Sequence, residues 1–435
     1  MTAPMLRAVL VLSAIGIMLA YCAVMYCMLK AEKRAVWLAL LLVMAVAGGL
    51  RVIFAGDYPP GLNGDELIHL LAAWQRFNGK LPLASVSPGA GMHMPLYAIV
   101  QGSLWWSGLT YWWAIRLWSL VGGVLSVGGA FAVLRAMNVR SHGALFGAGC
   151  VAVFPWSLLY GRVSLGGGQL IWHEMIVLWA IARLTWRDDP WGMPWAALTL
   201  GAVLYEYFAG RMLLWLALGS VVLLRTHRQR AYVLLGVLVA FLLYLPAMLQ
   251  PADRTFLVFS RVGTGAHTVA DLTDRAVVAI KALALPVAGD AGMSLTGAAV
   301  MPVAALLVAG VGFLVATWRQ RLFLCLVFVL GLCPMVAAQG PLSVHRMLVA
   351  LPVIPLLTGI AVGRLPSRRW CYACAFGLFA YVGWQSVTYF FSDNFWQGSL
   401  GELCDVGCRR APAGTEHGLP AQVFGRPVDA WRTAD

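Results

Sequence analysis

Apolar runs of about twenty residues recur from one end of this chain to the other, and that is the length a helix needs to cross the roughly 30 Å hydrocarbon core of a bilayer. Inside lipid every backbone N–H and C=O must find its partner within the protein, and a helix does so locally. With 61% of the 435 residues hydrophobic and 11% charged, no stretch remains that would make a soluble domain of useful size. The fold class expected is an all-α polytopic membrane protein. A formal charge of +13 would point to nucleic acid in a soluble protein, but here Lys and Arg cluster in short loops between apolar runs. That pattern encodes topology rather than a DNA-binding face, and no nucleic-acid partner is expected.

Taken in order, Met5–Leu29 is a first span, Lys30–Arg34 a basic loop and Ala35–Phe54 a second span. A cleaved signal peptide is the rival reading of the first run, yet the run is long and no clean small-x-small site precedes its lysines, so it reads as a helix. Basic loops stay on the cytoplasmic side, which places the next stretch outside. From Asp65 to Gly79, Leu67, Leu70, Leu71, Trp74 and Phe77 alternate with Glu66, His69, Gln75, Arg76 and Asn78 at helical spacing. This is the pattern of an amphipathic helix lying in the membrane interface. Lys80–Met94 is a loop, and Pro95–Trp113, rich in Trp and Tyr, reads as a second interfacial helix.

Further spans are expected near Arg116–Met137, His142–Tyr160, Gln169–Thr185, Met193–Phe208, Arg211–Leu224, Ala231–Met248, Ala299–Thr317, Leu322–Ala338, Met347–Gly363 and Trp370–Phe391. The total is about twelve. Loops holding Arg135/Arg140, Arg183/Arg187, Arg225/Arg228/Arg230, Arg319/Arg321 and Arg364/Arg368/Arg369 then fall on one face, and both termini lie outside. Residues 1–391 form the membrane domain, with its first outer loop at 55–115, and 392–435 form a short outer tail. The expected location is a bacterial inner (plasma) membrane, with the outer loops facing the periplasm.

The outer face collects the unusual residues. Ala55–His69 is a Pro/Gly-rich break carrying Asp57, Asp65 and Glu66, and acids just beyond a hydrophobic segment in so apolar a chain mark a candidate site. The bland alternative is a helix start, in which Asp65 caps the helix that Glu66 begins. The same face receives Tyr160–Gly168 with Arg162, the run Tyr205–Arg211 with Tyr207 and Arg211, a long polar loop near Leu249–Ala298, and Leu342–Arg346 with His345. Arg162 and Arg346 would serve equally as helix ends, and the tyrosines as belt aromatics. Several cations on the face of an acidic loop suit a phosphate, because the guanidinium fork matches its oxygens.

Seven of the nine cysteines sit in or beside apolar runs, and only Cys404 and Cys408 of the outer tail are placed to form a disulfide. No His/Cys group has zinc spacing, so no metal site and no required cofactor are expected. A divalent cation held between carboxylates and a substrate phosphate remains open.

The order of short motifs resembles a known family. An Asp65-Glu66 pair opening an amphipathic helix, His93-Met-Pro-Leu96, Arg116-Leu at the next span, Gly161-Arg162 after a Pro155-containing span, Tyr205-x-Tyr207-x-x-x-Arg211, and His345-Arg346 followed by Leu351-Pro352 look like the GT-C glycosyltransferases. The branch most similar is that of protein O-mannosyltransferases and lipid A aminoarabinose transferases (families 39 and 83). The resemblance implies a bundle of about twelve transmembrane helices with interfacial helices in the first outer loop. It implies transfer of a sugar from a polyprenyl-phosphate donor to a lipid, glycan or protein acceptor outside the membrane, with membrane lipid as the surrounding partner. Asp65 matches the catalytic base, with Glu66 beside it in the catalytic pair. Asp57, His93, Arg116, Arg162, Tyr205, Tyr207, Arg211, His345 and Arg346 match substrate-binding positions. General-base and phosphate-stabilising chemistry fit these residue types.

Two departures stand out. Relatives often carry an acid a few residues after the second-loop arginine, where this chain has Gly166–Gly168 and its nearest acid is Glu174. The outer tail is also short beside the soluble domains some relatives use to hold acceptors. A transporter or flippase for a lipid-linked or glycan substrate is the alternative function, its charges lining a translocation path. The sequence names neither the sugar nor the acceptor.

Overall fold

The computed structural model describes residues 3–53, 66, 69, 73, 75–78, 95–164, 167–205, 208–248, 268–284, 301–337, 347–366 and 369–390. Every regular element among them is helical. We number the helices α1 (Ala3–Leu29), α2 (Arg34–Val52), α3 (Pro95–Trp106), α4 (Tyr111–Ala136), α5 (Ser141–Val153), α6 (Pro155–Tyr160), α7 (Gly167–Arg187), α8 (Met193–Leu204), α9 (Met212–Ser220), α10 (His227–Met248), α11 (Val269–Ala284), α12 (Val303–Val315), α13 (Trp318–Ala337), α14 (Val353–Arg364) and α15 (Arg369–Phe390).

The expected membrane class holds, and the described residues do not establish the count of about twelve spans. Among the described residues five helices are long and apolar enough to cross a membrane: Met5–Leu29, Arg34–Val52, Trp113–Ala136, His227–Pro246 and Trp318–Val336. Several of the remaining runs are broken. The span expected over His142–Tyr160 divides at Phe154, which is extended (φ −64°, ψ 139°) ahead of Pro155. Proline supplies no N–H and pushes its predecessor out of the helical region. At 13 residues α5 is about 20 Å long and reaches the far side only together with α6. The run Arg211–Leu224 is a nine-residue α-helix between two 3₁₀ turns. Within the polar stretch expected near Leu249–Ala298, α11 is a helix whose Asp271, Asp274 and Lys281 interrupt apolar positions at helical spacing.

The centre of the bundle is α4 packed along α7. Gly122 lies against Gly168 and Gly129 against Met175, so the two helices run in the same direction and the α5–α6 pair is the return path. The return helix crosses α14 where Gly143 and Gly147 meet Gly359 and Gly363; a Cβ at any of these would collide with the facing backbone or a packed side chain. Small residues four apart on both helices allow this approach, the usual device where lipid removes the hydrophobic drive for helices to associate.

The basic loops gather at one end, as the topology argument requires. Arg135 pairs with Glu32 at 2.7 Å, Arg187 donates to the carbonyl of Arg135, and Gln320 donates to Met137 O. Arg140 reaches Leu365 O, Arg319 reaches Leu223 O, and Gln229 reaches Leu184 O and Asp188. About 30 Å away along α4 the other end begins. There Arg7 lies 4.1 Å over the Trp106 ring and donates to Asn78, which joins the start of α1 to the first outer loop.

α3 was expected to lie in the interface. It packs antiparallel to the start of α4: Tyr97 bonds Ser119, Gln101 donates to Ile115 O at 2.9 Å, and Ser103 reaches Leu10 O of α1. Its polar residues thus find partners on neighbouring helices.

Candidate functional site

Residue 66 begins a helical segment in which Glu66, His69, Ala73, Gln75, Arg76 and Phe77 are described. The spacing of Glu66, His69, Ala73 and Arg76 puts them on one helical face, and all are buried. Here the amphipathic expectation is corrected in orientation: the polar stripe turns inward to the protein. Buried charged groups need partners from within the protein. Phe77 seats this segment on Gly102 of α3, and the His69 ring lies 5.7 Å from that of Tyr97.

Glu66 is fully buried and held from two directions. Arg116, at the start of α4, meets it side-on, with Nε 3.2 Å from Oε1 and Nη2 3.1 Å from Oε2. The backbone N–H of Ser164 donates to the same Oε1 at 2.7 Å. Ser164 Oγ in turn accepts from Gln101 Nε2, so one residue receives α3 and holds the acidic segment. A bidentate guanidinium plus a backbone amide gives the buried carboxylate three donors, two of them charged. The arrangement suits orientation of the segment that carries Glu66.

Two further arginines occupy the same end. Arg51 closes α2 and is completely buried; its Nη1 reaches Ala47 O and Ala152 O, and its Nη2 reaches Ser157 O at 3.2 Å and Ser157 Oγ at 2.7 Å. Ala152 O belongs to the last turn of α5, whose carbonyls lose their helical partners at the Pro155 break. Arg162, in the turn after α6, donates Nη2 to the carbonyls of Leu50 and Ile53. These are the end carbonyls of α2 and the residue after it, where a cation is favoured by the helix dipole. Burial first, and then the neighbouring charges of Arg51 and Arg116, weaken the hold of Arg162 on its proton.

Glu66, Arg116 and Arg162 are therefore brought together. The Tyr205 hydroxyl donates to Leu243 O at 2.9 Å and its ring packs edge-on to Tyr244, tying α8 to α10. Arg211 is buried at the 3₁₀ turn before α9, with Tyr244 as its electrostatic neighbour. Glu174, the acid nearest the second-loop arginine, is fully buried on α7. It stands about 9 Å along the helix axis from Gly168, the residue that packs against Ser119 and Tyr160. Asp57, Asp65, His93, Tyr207, His345 and Arg346 lie outside the described residues, as do Cys404, Cys408 and the tail 392–435.

Sequence reasoning passed over Arg51, Gln101, Ser157 and Ser164. Arg51 carried a signal, since an arginine within the last turn of a membrane helix is rarely idle. Gln101, Ser157 and Ser164 are ordinary by composition, and nothing local marks them.

No protein-family model and no curated protein matches the sequence. Solved structures do. The Archaeoglobus fulgidus oligosaccharyltransferase in its apo form superposes with a TM-score of 0.52 at 11% identity, covering 88% of this chain and 59% of that one. The archaeal oligosaccharyltransferase AglB from the same organism, in complex with an inhibitory peptide and a dolichol-phosphate, gives 0.49 at 13% identity over 85% and 56%. The chain thus spans somewhat under two thirds of the length of these structures. At such identity the likeness is one of fold, and it agrees with the motif order read from the sequence. By its fold, the chain is a membrane bundle of the GT-C type, the architecture of the archaeal oligosaccharyltransferase.

Proposed function

We propose that this protein is a membrane glycosyltransferase. It takes a sugar from a polyprenyl-phosphate carrier and passes it to a lipid, glycan or protein acceptor at the end of the bundle opposite the arginine-rich loops. The observation that carries the reading is the Glu66–Arg116–Ser164 assembly within a GT-C fold. It anchors the residue next to Asp65 beside Arg116 and Arg162, at the end where the acidic loop begins and returns.

In this reading Asp65 removes the proton of the acceptor nucleophile as it attacks the anomeric carbon. The bond to the carrier phosphate oxygen breaks, and the released phosphate keeps that electron pair. Arg116 and Arg162 lend positive charge where that negative charge grows, which a dry site makes effective. Glu66 orients rather than reacts, because both of its oxygens are already occupied. Asp57, His93, Tyr205, Tyr207, Arg211, His345 and Arg346 remain assigned to donor and acceptor binding on the strength of the motif resemblance. The facing of this end toward a bacterial periplasm belongs to the same proposal.

The test is incubation of purified protein, in detergent and in sealed vesicles, with radiolabelled polyprenyl-phosphate sugars and a membrane extract as acceptor source. Wild type forms labelled acceptor, and Asp65→Asn lowers the rate roughly 10²–10⁴-fold with its melting temperature unchanged, since Asn caps a helix as well as Asp but is no base. Near-normal turnover in Asp65→Asn would remove Asp65 as the base. Passage of label across the vesicle membrane without transfer would replace the enzyme by the transporter.

A further inference from the structure

We propose that Arg51, which neither the motif resemblance nor the fold assigns to the site, is a positioning residue for the acidic segment, acting through the turn at residues 157–164. For its effect on turnover the proposal rests on the reading of Asp65 as base; its structural part does not. That turn does several things at once. Ser157 accepts two bonds from Arg51, Arg162 donates to the carbonyls of Leu50 and Ile53, and Ser164 donates its N–H to Glu66 while its hydroxyl oxygen accepts from Gln101. The residues on either side of 54–65, Ile53 and Glu66, are thus both held by positions two apart in one turn.

Arg51 sets where the turn stands. Its stem lies in a slot between α4 and the turn, where a Cβ at Gly123 or Gly161 would collide with Nε. Its two terminal nitrogens then span the break between α5 and α6, one bonded to Ala152 O before Pro155 and the other to Ser157 after it. A rigid planar fork is suited to this, because it fixes two acceptors at a set separation, which the single ammonium of lysine does not. With the break fixed, Gly161 to Ser164 are carried into register with Glu66 on one side and the end of α2 on the other. Removing the fork is expected to loosen the Ser164 N–H bond to Glu66 before it loosens the bundle, since the α4–α7 and α5–α14 packing does not pass through it.

The experiment is hydrogen exchange, read by mass spectrometry on the full-length protein in nanodiscs, for wild type, Arg51→Lys and Ser157→Ala. Arg51→Lys keeps charge and volume. It is expected to speed exchange at the Ser164 amide roughly tenfold or more, the factor lost with a hydrogen bond to a charged group, while peptides from α4 and α7 exchange as in wild type. Ser157→Ala deletes one acceptor and should move the same amide in the same direction by less; it carries the test if the lysine variant fails to fold. Unchanged exchange at Ser164 in both variants, or an equal rise throughout α4 and α7, would overturn the proposal. In a transfer assay Arg51→Lys should lower kcat with KM little changed. Absence of transfer in wild type would count against the enzyme and leave the exchange result standing.

Discussion

Both ends of this bundle are rich in arginine, and at both the guanidiniums rest on backbone carbonyls, yet the two sets work under different conditions. At the basic end Arg140, Arg187 and Arg319 cap helix ends from partly or fully exposed positions, and the Arg135–Glu32 pair keeps 28% and 12% of its side-chain surface exposed. At the other end the Arg116–Glu66 pair keeps 5% and 0%, and Arg51 and Arg162 are buried beside it. Water and headgroups supply alternative partners in the first case and not in the second. The same residue type is therefore replaceable at one end, where it records topology, and structural at the other.

Substitutions ranked by expected effect test this contrast. Arg116→Ala leaves Glu66 buried without its bidentate partner and should destabilise by about 3–5 kcal/mol, read as a lowered melting temperature in detergent. The double variant Arg116→Met, Glu66→Gln should recover part of that loss, because no isolated charge then remains inside. No recovery would mean that the pair does more than neutralise itself. Arg162→Ala strips the end carbonyls of α2 of a charged donor and should cost about 1–3 kcal/mol. A larger loss of donor affinity than of stability would instead return Arg162 to direct substrate contact. Smallest is Glu32→Gln at the basic end, expected within about 0–1 kcal/mol and sensitive to salt. A cost equal to that of Arg116→Ala would erase the difference between the ends.

Much of the architecture was legible because lipid imposes a simple rule on each residue. Apolar runs, basic loops and the order of short motifs follow from what each position must face, and the gathering of Arg135, Arg140, Arg187 and Arg319 at one end agrees with it. Span lengths were less legible. Hydropathy cannot see that Phe154 must be extended before Pro155, nor that α3, for all its aromatics, needs partners for Tyr97 and Gln101. The amphipathic stretch after Asp65 was recognised as a helix while the direction of its polar face was not, because periodicity shows that two faces differ and not which one turns inward.

By itself the sequence determined a helical membrane chain, the face on which its cations collect, and the acidic stretch as the place to look. Only the tertiary structure decided what engages Glu66. Glu66 reaches Arg116 across 50 positions and the Ser164 amide across 98, and Arg51 reaches Ser157 across 106. A buried charge must be matched by whatever the fold brings within about 3 Å, and no local pattern encodes a partner that distant in the chain.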